Sequence, residues 1–216
     1  MKHTDIKEVF SAKEYGKKET ELKALNEQIG ALTKKAILQE AVQGKLVPQI
    51  AAEGNAKDLL EEIKKEKSKL IKEGKIKKEK SLPEITEDEI PFDIPENWCW
   101  CKLGDIAYKL TDGTHRTPKY TTYGIPFLSV KDMSTGKLDF SHTKFITEEE
   151  HKELYKRCNP EKGDMLLTKV GTTGIPVIND SDIEFSLFVS VALIKFPHHF
   201  LDEKYFLYML LIYCSS

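Results

Sequence analysis

The sequence has no apolar run approaching the roughly 20 residues that cross a bilayer; stretches such as MLLI are core-sized fragments. Nothing at its start reads as a secretory signal. Cysteine is scarce: Cys99, Cys101, Cys158 and Cys214 are the only four in 216 residues, with no CxxC pair and no Cys–His cluster. Cys99 and Cys101 stand two apart in an expected strand, so they share a face and cannot close a strain-free bridge. The expectation is reduced thiols in a cytoplasmic protein, with no metal and no membrane partner. A surplus of one charge is missing as well. The net charge is −2, although residues 1–80 carry +5, residues 81–100 carry −6 and the remainder −1. Nucleic-acid binders usually show a basic surplus, so any such surface here must be local.

Catalytic signatures are absent too. There is no GxSxG elbow, no HExxH, no P-loop and no dinucleotide fingerprint. The Asn/Asp-Pro-Pro-aromatic motif of adenine methyl transfer has no counterpart beyond NPEK at Asn159–Lys162. His198 and His199 are adjacent, a poor spacing for joint metal ligation on a helix. His115 has Asp112 nearby, but an Asp-Gly pair is more often a turn than half of a catalytic pair. The chain reads as non-catalytic and without a cofactor of its own.

What is present divides into three regions. Residues 1–50 form a helix on which Leu22, Leu25, Ile29, Leu32 and Ala36 recur at spacings of three and four, a coiled-coil seam. Ile37, Leu38, Ala41, Val42 and Leu46 widen it, and Gly44 and Pro48 end it. Little nearby sequence is apolar enough to cover this seam, which favours a partner helix, from another chain or elsewhere in this one. Leu22, Leu25, Ile29, Leu32, Ile37 and Val42 are its candidate contacts. Residues 51–96 are a connector: a charged helix on Leu59, Leu60, Ile63, Leu70 and Ile71 with Glu/Lys pairs, a lysine cluster at Lys72–Lys80 that could touch DNA phosphate but reads first as a solvated face, and an irregular path forced by Pro83, Pro91 and Pro95.

Residues 97–216 read as α+β. WCWCKL is expected as a strand, GDIAYKL as a helical turn and IPFLSV as a strand. FITEEEHKELYKRCNP is a helix with Thr147 as N-cap and a stop at Asn159–Pro160. GDMLLTKVGTTGIPVIND reads as a hairpin turning at Gly171 and Gly174. EFSLFVSVALIKF is expected as one long strand, and DEKYFLYMLLIYC as a closing helix.

The stretch Lys109–Met133 is expected as a loop flanked by strands, carrying Thr111, Thr114, His115, Arg116, Thr117, Lys119 and Lys131. The hairpin tip adds Thr168, Lys169, Thr172 and Thr173. Arg and Lys can grip phosphate or read guanine, and Thr and His can bond base edges. The same residues also make ordinary turns, and at this point both readings stand.

Several of these segments, in order, resemble the specificity subunit of type I restriction–modification systems. LTKKAILQEAVQGKLVPQ, after a leader of about thirty residues, is similar to the start of such subunits. LLEEIKKEKSKLIKEGKIKKEK, then IPENWCWCKLGDIA, resembles the approach to a target recognition domain. TDGTHRTPKY, GIPFLSVKDM and GDMLLTKVGTTG resemble motifs of that domain. The resemblance implies an α+β domain lying in the major groove of double-stranded DNA and reading half of a split site. It implies long helices that dock onto modification subunits, which bind S-adenosylmethionine and methylate adenine. A separate translocase subunit would use ATP and Mg. Complete family members have two recognition domains in about twice this length. The expectation is therefore a half-subunit pairing with a second copy of itself, a truncated remnant or a fragment. Alternatives are an assembly piece that does not read DNA, or a domain split from a single-chain restriction–methylation enzyme.

Overall fold

Gly44 and Pro48 end the first helix as their chemistry demands. In the computed structural model, which describes residues 12–214, α1 (Ala12–Val42) stops just before Gly44, whose φ of +69° turns the chain sharply. Residues 1–11 of the expected leader, and residues 215 and 216, lie outside the described residues. The turn is bound to the chain ahead. The Trp98 indole N–H donates to Gln49 Oε1 at 2.9 Å, and the Gln49 amide donates to the Gly44 carbonyl at 2.9 Å.

α2 (Ala56–Lys72) begins at Asn55, whose Oδ1 accepts the N–H groups of Lys57 and Asp58. Its inward face buries Ile63 completely beside Ile106, Phe206 and Leu210. Polar bonds fix the helix further. Glu66 accepts the Tyr108 hydroxyl at 2.5 Å and bonds His199 at 2.8 Å. The charged helix thus packs into the same core as the segments after residue 97.

The remaining elements are α3 (Leu103–Ile106), β1 (Lys109–Asp112), β2 (Ile125–Leu128), β3 (Lys144–Ile146), α4 (Glu148–Tyr155), β4 (Met165–Thr168), β5 (Pro176–Ile178), β6 (Ser186–Leu187), β7 (Val191–Lys195) and α5 (Glu203–Cys214). They make a mixed, α+β arrangement with two sheets. One is antiparallel in the order β1-β7-β4-β5; the other runs β3-β2-β6, with β2 and β6 parallel. One core, with Leu128, Met133, Leu166, Phe185 and Leu193, lies between the sheets. The other lies beneath α5, α2 and α3.

Three expectations require correction. EFSLFVSVALIKF is two strands in two sheets: β6 ends at Leu187, a turn closes with the Val191 N–H on the Phe188 carbonyl at 3.0 Å, and β7 continues in the other sheet. Phe185, Leu187, Val191 and Leu193 all face the core between the sheets, so the apolar alternation runs straight through the crossing. WCWCKL forms no strand. Its tryptophans instead pack edge-on against Tyr205 and Tyr213 of α5, and helix packing supplies the burial a ladder would have given. Lys109–Met133 is a loop only in part. β2 forms within IPFLSV as expected, but the stretch also opens with β1 and ends in a 3₁₀ turn, leaving residues 113–124 irregular apart from isolated bridges at Thr114 and Thr121.

The close approach of the two sheets rests on a missing side chain. A Cβ on Gly113 would stand 2.0 Å from the Leu187 carbonyl oxygen. Gly113→Ala is therefore expected to lower unfolding stability by about 3 kcal/mol, as overpacking against backbone does. Gly30→Ala, on open α1 surface, should stabilise by about 0.5–1 kcal/mol. Urea denaturation of the two variants checks both; equal effects would contradict the contact.

Candidate nucleic-acid interface

Three chain segments that carry the candidate residues meet around the crossing from β6 to β7. The end of β1 arrives through the Gly113 N–H on the Val191 carbonyl at 3.2 Å and the Thr114 N–H on the Leu187 carbonyl at 2.9 Å. The 3₁₀ turn Val130–Met133 arrives through the Val130 N–H on the Ser190 hydroxyl at 3.2 Å. The end of β4 arrives through the Lys169 N–H on the Ser190 carbonyl at 2.9 Å. Beside Gly171 at the hairpin tip, Val130 Cγ1 lies 3.6 Å from where a Cβ would stand. Residues far apart in sequence thus form one face.

The candidates have different surroundings on that face. Arg116, Lys119, Lys131, Thr172 and Thr173 are exposed. Thr111 is half-buried within β1. Thr114 is only 8% exposed, and its hydroxyl accepts the Arg116 N–H at 3.2 Å, so it shapes the loop and is turned away from any groove. Lys119 holds the loop to α4, its N–H donating to Glu150 at 3.2 Å. The α4 start is as the sequence predicts, with the Thr147 hydroxyl accepting the Glu150 N–H at 3.2 Å.

Asp112, set aside as a turn residue, is the centre of a charge cluster. Its carboxylate accepts the Lys169 ammonium at 2.5 Å, the Arg157 guanidinium, and His115 Nε2 at 3.2 Å from both oxygens. Burial works against ionisation here, but the hydrogen bonds from Lys169, His115 and Arg157 prevail and hold Asp112 down at about 2. Arg157 escaped the sequence reading because it stands 45 residues from Asp112, and nothing in a run of charged helix residues marks which one will reach back.

A second grouping looks catalytic. His151 Nδ1 lies 2.9 Å from Ser186 Oγ, and His151 Nε2 lies 3.7 Å from Glu184. Ser186 is fully enclosed in β6, at 0% exposure, so no substrate carbonyl can reach its hydroxyl. Among the described residues no group of three or more His, Cys, Asp or Glu side chains could hold a metal ion. No described helix is long and apolar enough to cross a membrane.

The seam on α1 divides in two. Leu22, Leu25, Ile29, Leu32 and Ile37 are each at least 50% exposed, and no described residue covers them. Val42 meets a helix of its own chain: it is 4% exposed, at the end of α1 that contacts α5, and lines one recess with Trp98, Trp100, Met209 and Leu210.

Comparison with known proteins adds an independent line. The chain is 45% identical over 103 residues to the Type I restriction enzyme EcoAI specificity subunit of Escherichia coli, covering 48% of this chain and 18% of that protein. It is 34% identical over 144 residues to the EcoEI specificity subunit of the same organism, covering 64% and 24%. Over these stretches the chain is similar to type I specificity subunits. It spans at most about a quarter of the length of the curated relatives it matches. A family profile described as the GAD domain matches residues 106–175, less than half of the chain. The crystal structure of the HsdS subunit from Thermoanaerobacter tengcongensis matches with a TM-score of 0.40 at 15% identity, over 89% of this chain and 39% of that one.

The buried His151 generates a pH prediction. Burial lowers its affinity for a proton below the ordinary 6.5, and Glu184 only partly opposes this. Below pH 6.5 the unfolded chain then binds more protons than the folded one. The stability this residue contributes is complete above that pH and is lost as pH falls through the window beneath it. Urea midpoints at pH 7 and pH 5 should fall further for the wild type than for His151→Gln; parallel declines would remove His151 as the cause.

Proposed function

We propose that this chain is a DNA-reading specificity module of a type I restriction–modification complex, itself non-catalytic. The observation that carries the reading is the convergence of three polar, cationic segments on one face, in a chain related to specificity subunits. Arg116, Lys119, Lys131 and Lys169 supply cations for phosphate, and His115, Thr172 and Thr173 supply groups for base edges. Thr111 stands at the margin, and Thr114 is reassigned to loop support. The double-stranded DNA target lies against residues 97–216. Methyl transfer and translocation, with S-adenosylmethionine, ATP and Mg, belong in this reading to the modification and translocase subunits.

α1 has a separate task. A coiled-coil seam with five apolar residues in water is costly at about 25 cal/mol per Å² of apolar surface, and a second helix in the assembled complex would cover it. That helix comes from a modification subunit or from another specificity chain. Residues 51–96 join the docking helix to the reading unit, and α2 ties them to its core.

Two measurements test this reading. With a modification subunit co-expressed in a methylation-free host, long-read sequencing should find methyladenine at a defined motif. A soluble complex without methylation would instead support an assembly piece that does not read DNA. In duplex binding followed by anisotropy, Lys131→Ala should reduce the slope of log K against log salt by about 0.9, the value for one phosphate contact. Thr172→Ala or Thr173→Ala should shift base preference by about 1–3 kcal/mol. The seam is tested apart from DNA: Leu25→Glu with Ile29→Glu should abolish co-purification of the partner and leave duplex binding intact.

A further inference from the structure

We propose that the notch between the loop 113–117 and the C-terminal end of α4 seats a backbone phosphate of the bound duplex, with Arg157 as its principal contact. The inference rests on the DNA-binding reading above and adds to it a site at the end of α4 and in the turn that follows, from which no candidate residue came. The notch has a volume of about 290 Å³ and is rimmed by His115, Arg116, Arg157 and Glu153. Leu154 and Leu187 close it from behind, so its charges face solvent on one side only.

Arg157 is held for this task. One terminal nitrogen donates to the Gly113 carbonyl at 3.2 Å and the other to Asp112, while the side chain remains 54% exposed. A guanidinium fixed at one edge keeps further N–H donors free in a known direction, which is how arginine meets phosphate. Asp112 does not cancel the local charge, because it is shared between Arg157 and Lys169. One carboxylate against two permanent cations leaves a surplus of one, and Arg116 adds another. Glu153 is the only anion on the rim, and it is drawn aside by Lys156 at 2.5 Å. Asp112 is thus a positioning residue: it brings cations from β4 and α4, 57 and 45 residues away, into one geometry before DNA arrives.

A phosphodiester suits this notch better than a base edge. The side chains on the rim are His115, Arg116 and Arg157 against the one carboxylate of Glu153, a balance that suits an anion, whereas a base presents acceptors and donors together.

The test is anisotropy of the full chain with a labelled 30-base-pair duplex at salt from 0.05 to 0.2 M. Arg157→Ala should retain its melting temperature within a few degrees and lose about 0.9 from the log–log slope. Across that salt range its affinity should then fall about 3-fold less than the wild type's. Glu153→Gln, a change on the helix surface, should tighten binding about 2- to 5-fold by removing the rim's anion. Glu149→Gln makes the same change of net charge at the other end of α4 and should stay within 2-fold of wild type. A wild type with a steep salt slope that Arg157→Ala preserves removes the notch and leaves the DNA reading standing. Equal gains from Glu153→Gln and Glu149→Gln also overturn the site, since net charge alone would explain them. A wild type with no salt-dependent duplex binding takes down both the reading and the notch.

Discussion

The described unit depends on one constraint: a single segment, residues 186–191, must serve two sheets. β6 pairs parallel to β2, and after only three intervening residues β7 begins as the inner strand between β1 and β4. Such a short crossing forces the sheets together, and only Gly113 allows it, because the Leu187 carbonyl occupies the space a side chain would need. The proposed DNA-reading face is a by-product of this economy. A crossing exposes backbone groups that no ladder can satisfy, and buried backbone groups must find partners. The carbonyls of Val191, Leu187 and Ser190 find theirs in the N–H groups of Gly113, Thr114 and Lys169, and the Ser190 hydroxyl takes up the Val130 N–H. The polar tips are gathered because the crossing needs their N–H groups.

Local signals survived folding where their chemistry is local. Thr147 caps α4, Gly44 ends α1, and the β4–β5 hairpin turns at Gly171, since each depends on a few neighbouring dihedrals and bonds. The failures are non-local. Residues 185–196 read as one strand because the faces of two sheets enclose one core, so alternation carries no mark of the change of partner. Trp98 and Trp100 alternate like a strand while packing on a helix. Within the candidate face, residue type identified Arg116 and Lys131, which simply point outward. It could not show that Thr114 is buried by the bridge to β6, or that Arg157 returns to Asp112. Both facts belong to the topology, which a pattern of period two or 3.6 does not encode.

Two carboxylate–lysine pairs show how burial sets the role of a charge here. Asp164 lies 2.7 Å from Lys195 and accepts the Glu161 N–H at 2.7 Å, yet its proton affinity is raised, since burial outweighs these bonds. Asp112, nearer the surface, gathers three side-chain donors and is shifted the other way. The contrast follows from desolvation, which grows with depth faster than a single pairing can repay. Asp164 is accordingly a structural group fixing the turn before β4 to β7. Asp112 stays firmly ionised across the neutral range and can organise cations without competing for protons.

The same separation of roles accounts for a net charge of −2 on a chain proposed to grip a polyanion. The acidic stretch of residues 81–100 is tied down ahead of β1, where Glu89 bonds Lys102 at 3.1 Å. The cationic tips lie past the other end of that strand, beyond Asp112. Four strand residues alone span about 10 Å, already more than the screening length of about 8 Å at physiological salt. DNA resting on the tips therefore meets the local surplus around Lys169 and Arg157, and Glu89, already paired with Lys102 ahead of β1, is screened from it. Sequence-wide charge says little about affinity in such a molecule, and the order in which β1 joins its acidic and basic ends says more.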